Sequence, residues 1–155
     1  MAHIHVKIDF TAEVFIVHKN KVLLRVHDKL RKWLSVGGHI ELDEDPNEAA
    51  VREVKEEVGL DVVLWKGNRK FSGEHGGYKE LIPPVGLNRH RVSEVHEHVT
   101  MVYFATSATD AVSPEHEGDR SDEWGWFSKE QLRPLKLEPS VRFYAELALE
   151  TLRSH

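Results

Sequence analysis

The sequence contains one segment with the residues of a helix N-terminus at its start and of a helix C-terminus at its end, and this segment limits the folds open to the chain. Asp45 suits the N-cap, Pro46 suits the first helical position, and Glu48 completes a capping box with Asp45. Gly59 is placed as the left-handed residue that ends a helix. The pattern therefore predicts a helix over residues 46–58, which the rest of the chain must accommodate.

Three glutamates crowd the C-terminal half of this helix. Glu53, Glu56 and Glu57 are spaced i, i+3, i+4, so they share a side and repel one another by a few tenths of a kcal/mol per pair. The helix macrodipole disfavours anions at this end by a further ~0.3–1 kcal/mol each. A solvated acidic face is the ordinary explanation, but it does not account for acids at the unfavourable end of a well-capped helix. Oxygen ligands on one turn fit Mg²⁺ or Mn²⁺.

Two neighbouring features also fit a cation site. Arg52 can reach back along the helix as a permanently charged partner that orients the carboxylates. Gly37 and Gly38 let the backbone approach the helix without side chains, and a carbonyl group there can add a metal ligand. Taken alone, a glycine pair indicates no more than a turn.

The remaining segments are mostly short and apolar. Residues 4–10 alternate between apolar and polar side chains, which predicts a half-buried strand. Two apolar runs flank Lys19-Asn20 and predict a hairpin of buried strands over residues 14–17 and 22–24. Residues 33–36 form a further short apolar segment, strands are predicted over residues 61–65 and 99–105, and a short strand or a turn is predicted over residues 123–127. Residues 66–97 are rich in Gly, Pro, His and charge, and are predicted to be mostly loop.

The helices complete the predicted architecture. A helical start is predicted at Ser128, and a last helix is predicted over residues 139–153. Its apolar side is expected to contain Val141, Tyr144, Leu147, Leu149 and Leu152. The helix over residues 46–58 is expected to face the core with Val51, Val54 and Val58. Strands interleaved with helices predict an α/β sandwich around a mixed sheet.

Composition excludes several classes of protein. The 155 residues, 40% hydrophobic and 30% charged, suffice for one domain with a buried core. No apolar run approaches the ~20 residues of a membrane span, and the N-terminus lacks the apolar stretch of a signal peptide. The absence of cysteine excludes disulfides and suits a cytoplasmic protein. A net charge of −5 argues against binding of a nucleic-acid polymer.

Residues 38–60 read GHIELDEDPNEAAVREVKEEVGL and resemble the Nudix box. The pattern of that box is G-x5-E-x7-R-E-U-x-E-E-x-G-U, where U is aliphatic. Every fixed position is met, by Gly38, Glu44, Arg52, Glu53, Val54, Glu56, Glu57, Gly59 and Leu60. Nine constrained positions at fixed spacing are far more specific than a lone glycine motif. The chain is thus similar to the Nudix hydrolases, in particular to the MutT-like members.

The resemblance implies one Nudix domain over residues 1–155 with an α/β/α sandwich fold. It implies hydrolysis of a small nucleoside diphosphate linked to another group, X. By the same resemblance, Glu53, Glu56 and Glu57 hold Mg²⁺, or Mn²⁺ as a substitute, and the Gly38 carbonyl adds a ligand. Arg52 orients the carboxylates, and Glu44 steadies the loop or helps to hold metal. The alternative is a non-hydrolytic nucleotide-binding or sensor domain. A homodimer is an open expectation, since many relatives form one.

The general base and the substrate are left open by the sequence. Glu56 can accept the proton, and so can an acid from a later loop, for which the candidates are Glu94, Glu97, Glu117 and Glu123. Tyr78 lies 18 residues past Leu60, a spacing seen in members that cleave dinucleoside polyphosphates. Together with Tyr78, the candidates for contacting substrate are Arg25, Arg89 and Glu97. The ordinary explanation for each is a packing residue or a solvated surface group.

Eleven histidines raise a second metal hypothesis. In a strand over residues 95–105, His96 and His98 share one face, and a His-x-His pair can bind zinc or nickel. The sequence places no third ligand, His90 and Glu94 being candidates only. Structural or surface histidines are the more frequent case, and a position along the substrate pocket is a further alternative.

Overall fold

The computed structural model describes residues 5–27, 29–67, 69–115 and 123–154. In chain order its strands are β1 (Ile8–His18), β2 (Lys21–Val26), β3 (Trp33–Leu34), β4 (Val36–His39), β5 (Val62–Leu64), β6 (Glu74–His75), β7 (Tyr78–Lys79), β8 (Gly86–Arg91), β9 (Glu97–Ser107) and β10 (Trp124–Phe127). The helices are α1 (Pro46–Val58), α2 (Lys129–Leu132) and α3 (Pro139–Thr151). Most of the predicted elements are therefore confirmed, with shifted ends.

β1 is the central strand of the main sheet. It pairs in parallel with β9, from Ile8 opposite Glu97 to Val17 opposite Thr106, and antiparallel with β2 and β4 on its other side. The strand order is β10-β2-β1-β9-β5, with β3 on β2, β4 on β1 and β8 on β9. All of these pairs except β1–β9 are antiparallel. The predicted mixed sheet is confirmed.

Helices cover both faces of this sheet. Along β1, Val14 and Ile16 join the core cluster that contains the buried residues of α1, whereas Phe15 and Val17 join the cluster that contains those of α3. This division follows from the alternation of side chains along a strand. The predicted α/β/α sandwich is confirmed, and the two faces of the sheet carry different sites.

The first predicted strand was placed wrongly. β1 begins at Ile8 and runs without a break into the hairpin, whereas Val6 precedes it and is 91% exposed; Ile4 lies outside the described residues. The sequence does not indicate one continuous strand, because β1 is covered on both faces after residue 13. There the alternation of apolar and polar residues changes to an apolar run. The hairpin itself is confirmed, with positive φ at both Lys19 and Asn20, as a two-residue type I′ turn requires.

Residues 66–97 are mostly loop, as predicted, but they also contain three short strands that the sequence did not indicate. β6 and β7 form a separate hairpin, and β8 extends the main sheet along β9. Most residues of β8 are exposed. As an edge strand with little burial on either face, β8 has no apolar alternation for a sequence pattern to detect.

The buried face of α1 differs from the predicted one. Val54 and Val58 are buried as expected, but Val51 is 39% exposed. The helix instead buries Ala49, Ala50 and Glu53. Small alanines let α1 lie close to the sheet, and a carboxylate occupies part of the face expected for a valine. In α3, Ala145 and Ala148 similarly pack deeper than the larger predicted Tyr144 and Leu147, which are half-buried.

Candidate carboxylate site

Both ends of α1 are fixed as the sequence predicts. The Asp45 side chain accepts a hydrogen bond from the Glu48 amide at 2.9 Å, and the Glu48 side chain accepts one from the Asp45 amide at 3.0 Å. Gly59 ends the helix with a φ of 70°. A side chain there would also collide with the Ser113 backbone, since its Cβ would lie 1.8 Å from the carbonyl oxygen. These contacts fix the helix that carries the glutamates.

Arg52 binds three carboxylates and a backbone carbonyl. Its Nε and Nη2 donate to the two Glu44 oxygens at 2.9 and 2.6 Å, and its Nη1 donates to Glu53 at 3.0 Å and to Glu56 at 3.1 Å. Nη2 also donates to the His39 carbonyl oxygen at 3.0 Å. The Arg52 hydrogen bonds hold the pKa of Glu44 below its usual value. One guanidinium group thus gathers acids from the loop and from two positions on α1.

Glu53 is buried against the glycine pair of β4. Glu53 is only 8% exposed. Burial raises the pKa of its carboxyl, although Arg52 acts to lower that pKa. A Cβ on Gly38 would lie 2.5 Å from a Glu53 carboxylate oxygen. Glycine at residue 38 is therefore required for the backbone to approach this carboxylate.

Glu57 faces the sheet from the same helix. Its Oε2 accepts a hydrogen bond from the Gly37 amide at 3.3 Å and lies 3.2 Å from Arg25 Nε. Both side chains of this ion pair are only 12% exposed. Arg25, predicted as a substrate contact, is thus placed against a predicted metal ligand.

We call Gly38, Glu44, Arg52, Glu53, Glu56 and Glu57 the carboxylate site. Its four carboxylates face two guanidinium groups, those of Arg25 and Arg52, which leaves an excess of negative charge. The side-chain atoms that could bind a metal are all carboxylate oxygens, and no side chain covers the backbone at Gly38. This donor set fits a hard divalent cation such as Mg²⁺.

An open cleft of about 730 Å³ lies beside α1. Arg52 and Glu56 line it from the carboxylate site, and Val51, Leu64 and Ile82 supply apolar surface. Besides Arg52, its cationic residues are Lys55, Lys66, Arg69 and Lys79, none of which the sequence patterns indicated. No spacing rule identified them, because they come from α1, from the segment after β5 and from β7.

The remaining predicted residues lie outside the contacts of the carboxylate site. Tyr78 is exposed on β7, and its hydroxyl donates to the Glu80 carboxylate beside the cleft. Arg89 and Glu97 bind each other through two hydrogen bonds of 2.8 Å across β8 and β9. Glu94 is exposed, and Glu123 lies 3.6 Å from Arg31. Glu117 lies outside the described residues. The general base and the substrate contacts therefore stay predictions.

A second polar group lies across the sheet, where His96 and His98 meet Asp9 and His39. The Nε2 atoms of His39 and His96 are 3.4 and 3.3 Å from Asp9 Oδ2. Asp9 is opposite His98 in the β1–β9 pairing. We call these four residues the Asp9 cluster. Sequence reasoning found the histidine pair but missed Asp9 and His39, because only the strand register brings them together.

Comparison with known proteins agrees with this geometry. The family model described as NUDIX domain matches residues 6–147. A hydrolase of the NUDIX family from Clostridium perfringens is 38% identical, with a TM-score of 0.81 over 94% of this chain and 98% of that one. A MutT NUDIX hydrolase from Burkholderia pseudomallei is 23% identical, with a TM-score of 0.63 over 94% and 98%. An ADP-ribose pyrophosphatase from Streptococcus suis is 21% identical, with a TM-score of 0.60 over 95% and 93%.

None of the helices within the described ranges combines the length and the apolar character needed to cross a bilayer.

Proposed function

The chain belongs to the Nudix hydrolase family, and from this premise we propose that it hydrolyses a phosphoanhydride bond in a nucleoside diphosphate linked to a further group. We propose Mg²⁺ as the metal, with Mn²⁺ as a substitute. The cysteine-free sequence suits a reducing compartment, so we place the activity in the cytoplasm.

The observation that carries this proposal is the convergence of carboxylates on Arg52. Glu44, Glu53 and Glu56 all accept from its guanidinium group, although Glu44 lies outside the helix. Like charges so close are costly unless a cation compensates them. Arg52 supplies one positive charge, and the remaining negative charge supports divalent-metal binding.

Each residue of the carboxylate site then has a definable task. Glu53, Glu56, Glu57 and the Gly38 carbonyl would hold the metal. When bound, the cation supplies neutralisation of the phosphoryl oxygens and acidification of a water molecule. Arg52 holds the Glu53 and Glu56 side chains in place. Glu56 lines the cleft as well as the site, so we propose it as the base that accepts a proton from the attacking water.

The cleft offers both charged and apolar surface to a substrate. Lys66, Arg69 and Lys79 can bind phosphate groups, while Leu64 and Ile82 offer surface to a nucleoside or to group X. The Streptococcus suis relative is named an ADP-ribose pyrophosphatase, which makes ADP-ribose one reasonable test compound among several.

The test is a substrate panel with Mg²⁺ and then with Mn²⁺. The panel contains nucleoside triphosphates, dinucleoside polyphosphates, nucleotide sugars and ADP-ribose, and the products are resolved by chromatography. Glu56→Gln is expected to reduce turnover of the best substrate by well over tenfold. Glu150→Gln, which removes an exposed carboxylate from α3, is the matched control and is expected to retain full turnover.

The competing function is nucleotide binding without hydrolysis. Calorimetric binding of a panel compound, with no product in either metal, would establish that function instead. Retention of all the box carboxylates favours the hydrolase, because a binding domain has no need for a costly acidic cluster.

A further inference from the structure

The Asp9 cluster lies at one end of the main sheet, on the face opposite α1. Asp9 shares that face of β1 with Phe15, which packs in the core cluster of α3. His98 is opposite Asp9 on β9, and His39 follows from β4, where it is opposite Thr11. Three adjacent strands thus each contribute one metal-ligating side chain to the same spot.

The metal-ligating atoms of these side chains lie close enough together to bind one small ion. The ligand atoms of Asp9, His39 and His98 all lie within 4.8 Å of one another, and Asp9 Oδ2 is 3.4 Å from His39 Nε2. A tetrahedral zinc ion bound at about 2.0–2.1 Å separates its nitrogen and oxygen ligands by roughly 3.3 Å. Small side-chain adjustments therefore suffice to close the set around one ion.

The Asp9 carboxylate at the centre of the cluster is buried. Asp9 is 1% exposed, and its Oδ1 accepts a hydrogen bond from the His5 amide at 2.8 Å. Positive charge stabilises a buried carboxylate, and either a protonated histidine or a bound cation supplies it. His96 Nδ1 lies 2.8 Å from the Val6 carbonyl oxygen, which orients that ring so that its Nε2 faces Asp9 Oδ2. Contacts of this kind hold metal ligands in position in metalloproteins.

We propose that Asp9, His39 and His98 bind a zinc-like transition-metal ion, and that His96 positions the Asp9 carboxylate. Two imidazoles and one carboxylate form a recurrent zinc and iron(II) ligand set. The nitrogen donors separate this site from the all-oxygen carboxylate site. A cavity of about 310 Å³ that reaches Asp9 and His39 gives the ion a path from solvent.

The site also suggests a role. His39 follows Gly38 directly, and its carbonyl oxygen accepts a hydrogen bond from Arg52. An ion held by His39 would tie the end of β4 to β1 and β9, and so fix the strand that carries the Gly38 carbonyl. The proposal concerns metal binding and does not depend on the hydrolytic function.

The test measures binding directly. The whole protein is stripped with a chelator and titrated with Zn²⁺ or Co²⁺ in excess Mg²⁺, which occupies the carboxylate site. We expect elemental analysis to find one tightly bound metal ion per chain. The Co²⁺ form should show the intense visible absorption bands of a site with low coordination number. Asp9→Asn and His98→Gln are expected to weaken binding by at least about 100-fold, and His96→Gln by roughly 10–100-fold.

Two controls locate the ion. His90→Gln alters a ring 5.6 Å from that of His98 but outside the ligand set, and Glu57→Gln alters the carboxylate site; both should bind Co²⁺ as the unmodified chain does. His98→Cys should add a sulfur-to-cobalt charge-transfer band, a gain of signal that requires a folded site. The proposal is overturned if the unmodified chain binds no stoichiometric ion, which would leave a buried Asp–His ion pair. It is equally overturned if Asp9→Asn binds normally or if His98→Cys adds no such band.

Discussion

The carboxylate site and the Asp9 cluster lie on opposite faces of one sheet, yet they depend on the sequence in different ways. The first takes its acids from one helix and the loop before it, within the segment 38–60. The second takes its three proposed metal ligands, Asp9, His39 and His98, from three different strands. Helical periodicity is local, so a pattern of spacing predicts the first site. Strand register is not local, so spacing indicates the His96–His98 pair of the second but not its partners Asp9 and His39.

The two regions meet at the end of β4. Gly38 approaches the Glu53 carboxylate on one face, and the next side chain, that of His39, points to Asp9 on the other. The alternation of a strand makes this division unavoidable. A substitution on one face can therefore be tested for its effect on the metal binding or turnover of the other.

The largest effect is expected for Glu57→Gln. The amide keeps the shape of the side chain but removes a metal-binding charge, so turnover should fall by about 100-fold with Mg²⁺. Steady-state rates on the best panel substrate provide the measurement. Zinc content at the Asp9 cluster should not change. Unchanged turnover would remove α1 from the chemistry, and lost zinc would mean that the two faces do not act as separate sites.

A smaller effect, of about tenfold, is expected for Arg25→Gln. Since Arg25 Nε lies 3.2 Å from Glu57, its loss should lower kcat and raise the Mg²⁺ concentration needed for half-activation, with little change in KM. A raised KM with normal Mg²⁺ dependence would instead support the substrate contact predicted from sequence. Arg153→Gln is the matched control, because Arg153 is an exposed arginine that follows α3.

These cases show where sequence reasoning reaches its limit. The caps and extent of α1, the hairpin at Lys19-Asn20 and the Arg52 contacts follow from local chemistry, and the sequence predicted them. Val51 was assigned to the core because a helical wheel shows which residues share a face but not how the helix is rotated on its sheet. The ligand set of the Asp9 cluster needed the register of β1 against β4 and β9.

A still smaller effect on turnover is expected when the ion at the Asp9 cluster is removed by His98→Gln. Loss of a bound ligand should lower the melting temperature by roughly 5 °C in the presence of Zn²⁺. Turnover with saturating Mg²⁺ should fall no more than about threefold, because the carboxylates keep their own contacts with Arg52. Calorimetric melting and steady-state kinetics measure the two effects. A loss of turnover as large as that of Glu57→Gln would show that the two faces work as one site.

The smallest effect is expected for Glu13→Gln, on the β1 face that also carries Asp9. Burial raises the pKa of the Glu13 carboxyl, while the Ser35 hydroxyl, which donates to it at 2.9 Å, lowers that pKa. The folded chain thus holds this proton more tightly than the unfolded chain, so acidification toward the ordinary value of 4.5 adds stability and neutral pH removes it. The neutral amide should raise the free energy of unfolding by about 1 kcal/mol at neutral pH. Near pH 4.5, the ordinary pKa of the carboxyl, it should leave the free energy of unfolding unchanged. Urea unfolding at both pH values, with Glu150→Gln as control, measures the difference. A loss of stability at neutral pH would mean that the charged form is compensated in the fold.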